Sequence, residues 1–233
     1  MKKKFAVYLL TIFFGTLVHS RHCQADTYAY VANSNGQTFV IETENHTRLL
    51  NGDGSPLTIE GVGTGNHGVA ISPKGQYVFI SDPDTHTVSL IDTSDNTITP
   101  KIDVSGRLFK PQAVTFSGDG KYLYIAVNKE QVGAALYLLS TSDPSKAQLL
   151  CTGNKFSGVV AFSRFNSYYA YVADQGSNQI LVVKDTEKVA KLPVGKKPTG
   201  VAVSPNLKYV YVTNSESGTV SAIPTRDYSK KDL

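Results

Sequence analysis

The chain has 233 residues, with 23 Lys and Arg against 19 Asp and Glu. Lys2, Lys3, Lys4 and Arg21 account for the whole excess, so residues 26–233 balance at zero and lack the basic surplus of a nucleic-acid binder. The two cysteines, Cys23 and Cys151, fall on either side of Ala25, so removal of the first 25 residues would leave no pair to form a disulfide.

In chain order, the three lysines are followed by an apolar run from Phe5 to Val18 and a polar tail ending Cys23-Gln24-Ala25. That is the layout of a cleavable secretory signal, with cleavage expected after Ala25. The run is short of the roughly 20 apolar residues that span a bilayer, although an uncleaved N-terminal anchor is the alternative. No later stretch is apolar enough to span, and Cys23 lacks the preceding Leu and small residues of a lipoprotein signal. The expected organisation is a signal peptide at 1–25 and one domain at 26–233, placed in the periplasm, secreted or at the cell surface.

The rest of the chain repeats. GVAISPKGQYVFISD (68–82), AVTFSGDGKYLYIAV (113–127), VVAFSRFNSYYAYVAD (159–174) and GVAVSPNLKYVYVTN (200–214) are related, and YAYVAN (28–33) is a partial copy. Ser72, Ser117, Ser163 and Ser204 lie 45, 46 and 41 residues apart, the spacing of four-stranded propeller blades. Each unit reads as a short inner strand a, a tight Ser-led turn, and an alternating aromatic strand b. A polar turn then leads to strand c, at 38–43, 87–93, 134–141, 179–186 and 219–225. A weaker strand d follows at 56–62, 98–104, 147–152 and 188–195. The SPKG type of turn fits a type I hairpin turn with a bulge. Strand b alternates with period two, and both faces are apolar, so its Tyr and Val positions, Tyr209 and Tyr211 included, are expected in packed cores. No segment holds a helical period over a dozen residues. The expected fold is an all-β propeller of four-stranded antiparallel blades, about five units.

PTGVAVSP (198–205), KYVYVTNS (208–215) and SGTVSAI (217–223) resemble the YVTN-type β-propeller repeat family, whose relatives include lactonase-like and surface-layer-type propellers. The resemblance spans 27–225 and is tightest in the last unit and in 66–92. It implies a propeller in exported proteins and no single activity. Five copies of b and c stand against four of a and four of d, because the first unit lacks its inner strand and the last its outer one. Closure is therefore open between an irregular five-blade ring, an open arc and a truncated form of a longer propeller. Uncovered ends would favour a homodimer.

In a propeller the d-to-a and b-to-c loops share one face. The residues ahead of the inner strands are His67, Gln112, Ser157 and Thr199, all polar, and they read either as a ligand-binding ring at the channel mouth or as loop residues satisfying local backbone. His67 is the one among them that titrates near neutral pH. The d-to-a loops also carry Arg107, Lys110, Lys155, Lys196 and Lys197. These make a basic face for an anionic ligand, or else an ordinary solvated surface, and Asp82, Asp84, Glu130, Asp174 and Glu216 in the b-to-c loops would dilute the field. No inner strand holds a titratable residue, no GxSxG, phosphate loop, CxxCH or zinc spacing occurs, and Asp82-Pro83-Asp84 reads as a turn rather than a calcium site. Cys151, in AQLLCTG, reads as a buried small residue rather than a reactive thiol. No catalytic residue, metal or cofactor is expected. The expected function is a binding or protein-interaction module for an unidentified protein or an anionic small ligand or glycan, not nucleic acid. The alternatives are a lactonase-like hydrolase, with His67 its channel-side titratable group, and a truncated propeller without function.

Overall fold

The computed structural model describes residues 7–8, 28–33, 37–43, 47–62, 65, 68–103, 110–129 and 133–226. Every regular element among them is a strand, and no helix is long and apolar enough to cross a membrane. The chain forms two compact units, Met1–Pro111 and Gln112–Leu233.

The first unit holds two sheets. One is built on β2 (Tyr28–Ala32) and β3 (Thr38–Glu42), paired antiparallel from Tyr28↔Glu42 to Ala32↔Thr38. The single outer strand expected at 56–62 is two short pieces, β4 (Thr47–Arg48) and β5 (Thr58–Ile59), both pairing with β3. On the inner side β1 (Val7–Tyr8) runs parallel to Tyr28–Ala29, unlike the antiparallel inner strands of the other sheets. The second sheet is β6 (Gly68–Ile71), β7 (Tyr77–Asp82), β8 (Thr87–Asp92) and β9 (Ile98–Asp103), hydrogen-bonded in chain order. Alternation sends Val78 and Ile80 to one face of β7, where they pack with Tyr30, Val40, Ile59, Val62 and Ile91.

The second unit holds three sheets. The third sheet of the chain is β10 (Lys110–Phe116), β11 (Tyr122–Lys129), β12 (Gly133–Ser140) and β13 (Asp143–Gly153). The fourth is β14 (Phe156–Arg164), β15 (Ser167–Asp174), β16 (Gln179–Lys184) and β17 (Glu187–Pro193). The last is β18 (Pro198–Val203), β19 (Tyr209–Asn214) and β20 (Thr219–Pro224), with three strands among the described residues. One face of the fourth sheet (Ala170, Val172, Leu181, Val183) packs on Tyr124, Ala126, Leu136 and Leu138 of the third. The other face (Tyr169, Tyr171, Ala173, Ile180, Val182) packs on Val210 and Val212 of the last. Tyr169 and Tyr171 are 1% and 0% exposed, stacked with Phe162 at 6.0 and 5.6 Å. The expectation of core packing fails for Tyr209 and Tyr211, which are 43% and 44% exposed while Val210 and Val212 are fully buried. Among the described residues of the second unit, the last sheet has a neighbouring sheet on one face only.

The repeated serine closes the turn between strands a and b. Ser72, Ser117 and Ser204 Oγ accept the N–H of Tyr77, Tyr122 and Tyr209 at 3.0, 3.1 and 3.0 Å. The fourth unit departs from this. There Arg164 pairs with Ser167 across a two-residue loop, and Phe165 and Asn166 take φ of 52° and 56°, the signature of a type I′ turn rather than a bulged type I.

Candidate binding face

Strand b ends on an Asx residue, or within one residue of it, in every unit: Asn33, Asp82, Asn128, Asp174 and Asn214. From the sequence, Asp82 and Asp174 are expected among the acids of the b-to-c loops. Both are instead fully buried at the strand ends. Asp174 Oδ1 accepts the N–H of Asn154 and Lys155 at 3.1 and 3.0 Å, and its Oδ2 accepts Gln179 Nε2 at 3.1 Å. Asp82 Oδ1 accepts the N–H of Gly65, Asp84 and Thr85 at 3.2, 2.8 and 3.1 Å, which makes Asp82-Pro83-Asp84 the turn expected of it. Asn128 binds both backbone groups of Phe156, at 2.8 and 2.9 Å. Asn214 Nδ2 donates to Thr219 Oγ1 and Ser221 Oγ at 3.2 and 2.9 Å. Asp82, Asn128 and Asp174 satisfy backbone donors at or ahead of the inner strands that would otherwise be unpaired, and so they fix where those segments lie, whereas Asn214 bonds strand c. The signal for them was in the sequence, as an Asx repeated at one offset.

Of the residues expected at the channel mouth, His67 lies outside the described residues, as does Arg107 of the basic set. Gln112 and Lys110 are half-buried at the start of β10. Ser157 and Thr199 sit near the starts of β14 and β18 in the second unit. Ser157 Oγ donates to Pro198 O at 2.7 Å, and Thr199 Oγ1 lies 3.0 Å from Thr213 Oγ1. The two inner strands approach so closely that a Cβ on Gly158 would stand 2.5 Å from Thr199 O, which requires glycine there. Ser157 and Thr199 thus spend hydroxyl contacts on neighbouring strands, the backbone-satisfying alternative, and remain half-buried.

Lys155, Lys196 and Lys197 are exposed on the loops that open β14 and β18, and their backbones are pinned from several sides. Lys155 N–H donates to buried Asp174. Lys196 N–H donates to Ser217 Oγ at 2.6 Å and Lys197 N–H to Asn178 Oδ1 at 2.8 Å. Lys197 O accepts both the N–H and the hydroxyl of Ser215 at 3.0 Å. These bonds hold Lys197 at φ 56°, a left-handed conformation costing a non-glycine residue roughly 1–2 kcal/mol. Glu216 is exposed on the facing loop, its N–H on Lys196 O at 3.3 Å. The result is a set of ammonium groups on ordered backbone, able to attract an anion beside a single exposed acid.

Two other groups bear on chemistry. Burial pushes the Cys151 thiol up to about 11 from its ordinary 9.0, so this buried cysteine is a poor nucleophile, as the sequence indicated. Among the described residues no group of three His, Cys, Asp or Glu is placed to hold a metal.

No family model matches the chain. It is 32% identical over 171 residues to the Antigen Lp49 of Leptospira interrogans serogroup Icterohaemorrhagiae serovar copenhageni (strain Fiocruz L1-130). That match takes in 69% of this chain and 35% of the antigen, so the chain spans about a third of the curated relative's length. Among solved structures, it is similar to the β-propeller domain of Cps50 (Swd1) of Myceliophteria thermophila, with TM-score 0.67 and 10% identity over 88% of this chain and 64% of that one. A functionally unknown protein of Desulfotomaculum acetoxidans gives 0.60 and 15% over 82% and 63%. Dihydro-heme d1 dehydrogenase NirN gives 0.57 and 15% over 85% and 43%. At such identities the likeness concerns the fold alone. The fold class is thereby an all-β β-propeller of four-stranded antiparallel blades, as the repeat spacing led one to expect.

Proposed function

We propose that the chain is an exported β-propeller of YVTN-type repeats that works as a binding module. Its contact surface is the loop face of the second unit, and its ligand is anionic, a small molecule or a glycan. One observation carries the reading: Lys155, Lys196 and Lys197 stand exposed on loops whose backbones are held by Asp174, Ser217, Asn178 and Ser215. With the loop backbone already ordered, binding has only the lysine side chains left to order, and that separates this loop face from a lysine run on unanchored backbone. The name of the curated relative, an antigen, fits display outside the cell.

An array of sulfated and carboxylated glycans, probed with the purified chain, tests this. Capture should be salt-sensitive, because charges on an open loop are screened within about 8 Å at physiological ionic strength. It should fall at least tenfold in the Lys196→Ala, Lys197→Ala double variant, where two cations at about 1 kcal/mol or more each are removed. Capture unchanged by the double variant refutes the basic-face assignment. Turnover of a lactone panel that disappears with His67→Ala, in a chain that still folds, replaces the binding module by a hydrolase.

A further inference from the structure

The loops that carry the lysines are built on one register and close in two ways. Pro198 pairs with Asn214 as Phe156 pairs with Asp174, with the same bulge after it, and Asn214 pairs with Thr219 as Asp174 pairs with Gln179. Lys196 therefore matches Asn154, and Lys197 matches Lys155. One anchor is common to both loops: Gln175 N–H donates to Lys155 O at 2.7 Å, and Ser215 N–H to Lys197 O at 3.0 Å. The loop N–H groups part company. In the fourth sheet Asn154 and Lys155 both donate to Asp174, the Asx of their own strand b. In the last sheet Lys196 N–H goes to Ser217 instead, and Lys197 N–H crosses to Asn178 on the loop between β15 and β16. The acceptor left behind, Asn214 Oδ1, is buried and accepts no hydrogen bond. Lys197 takes a positive φ, which Lys155 does not.

We propose that residues 195–197 form a two-state strap that assembles the basic face, a regulation that rests on the loop-face reading above. Tethered to Asn178, as in this structure, the strap is held against the b-to-c loop of the fourth sheet. The same loop presses on Lys155, where a Cβ on Gly176 would stand 3.2 Å from Lys155 N, so the tether gathers Lys196 and Lys197 to Lys155. Released, the strap hands its N–H groups to Asn214 Oδ1, as the fourth sheet's loop hands its own to Asp174. The change of φ then turns the Lys197 side chain in a new direction, and the basic face comes apart. The tethered state carries two local costs. A buried acceptor without a donor bears its desolvation in full, whereas Asn178 and Ser217 are exposed and turn to water when released. The left-handed φ of Lys197 is the second cost. Neither occurs at the matched place in the fourth sheet, where Asp174 is satisfied and Lys155 is unstrained. Asparagine at 214 keeps the two states close, because a neutral amide draws an N–H less strongly than the carboxylate of Asp174 does. An anion that bridges the three lysines binds the gathered arrangement better and so selects it.

Solution NMR of the isotope-labelled chain, with heparin oligosaccharides as the probe anion, is the test. In the wild type Lys197 should show the strong NOE between its own amide and α protons that a positive φ produces. Asn178→Gly removes the tether and keeps the φ of 53° at that position, which glycine adopts freely. Asn214→Asp strengthens the competing acceptor. Each variant should abolish the Lys197 NOE and move the Lys196 and Lys197 amide resonances. Each should also weaken heparin capture by about fivefold or more, the factor by which the competent population falls. Added heparin should draw the Asn214→Asp resonances back toward those of the wild type. The two variants act on opposite sides of the strap, so one that fails to fold leaves the other to decide. A Lys197 NOE that survives in the folded variants overturns the strap. So does loss of the NOE with capture at wild-type strength, because the basic face then does not depend on the tether. The loop-face reading fails differently: capture unchanged in the Lys196→Ala, Lys197→Ala variant refutes the basic face itself and the strap's role with it, whatever the NOE shows.

Discussion

Asp119 shows how a single side chain ties two repeats. Burial alone would raise its pKa, yet its carboxylate accepts Ser117 Oγ and Tyr168 OH at 2.7 Å each and Lys121 N–H at 3.1 Å, with the Lys121 ammonium 3.5 Å away. These donors outweigh burial and hold the group at about 2, below its ordinary 3.8. The same bond keeps the Tyr168 proton on and raises that phenol. A carboxyl depressed in the fold adds stability at every pH above its unfolded value, and the addition drains away as pH falls through its folded value. Urea midpoints measured from neutrality downward should therefore separate wild type from Asp119→Asn above pH 3.8 and converge toward about 2. A constant gap across that range would mean that the carboxylate charge is not what the donors recognise.

At the scale of the element, strand b is one sequence pattern in two environments. Tyr171 on β15 and Tyr211 on β19 occupy matched positions, with exposures of 0% and 44%. Truncating a buried aromatic removes its burial and leaves a cavity, which costs about 3–5 kcal/mol. A surface substitution with no such partner stays within about 0.5 kcal/mol. Tyr171→Ala should accordingly lose most of the stability of the second unit, and Tyr211→Ala almost none in dilute solution, as read from urea unfolding at low protein concentration. Equal losses in the two variants would show that the outer face of the last sheet is covered. The Asx near the end of strand b belongs to this scale too: Asp82, Asn128 and Asp174 link the strand to the segment that opens an inner strand, and Asp174 orders the backbone of Lys155.

For the whole molecule, the sign of the net charge rests on the first 25 residues. The formal net charge of +4 becomes zero when Lys2, Lys3, Lys4 and Arg21 are removed. If those residues are a signal, the chain recovered from outside the cytoplasm begins at Asp26, and intact-mass measurement should show that start. A recovered chain that still carries Lys2–Lys4 would instead support the uncleaved anchor. With no net charge the mature chain would have little long-range repulsion to oppose self-contact near neutrality.

The sequence by itself determined the repeat, the strand order of the later sheets and the absence of helix among the described residues. These follow from local facts: period-two alternation, turn residues that permit tight reversals, and Ser at fixed spacing. It also marked Ser157, Thr199, Lys155, Lys196 and Lys197 as loop-face residues, and the structure sets all five at or beside the starts of β14 and β18. It could not tell which apolar face is covered. Tyr169-Ala170-Tyr171 and Tyr209-Val210-Tyr211 are alike to any local rule, and only the neighbouring sheet decides which of them is core. It misread Asp82 and Asp174 for a related reason. A carboxylate in a turn-like sequence passes for a solvated one until the backbone donors of another segment, some 20 residues away in the chain, are brought to it. Burial and hydrogen-bond satisfaction are relations between segments, so tertiary structure alone settled them.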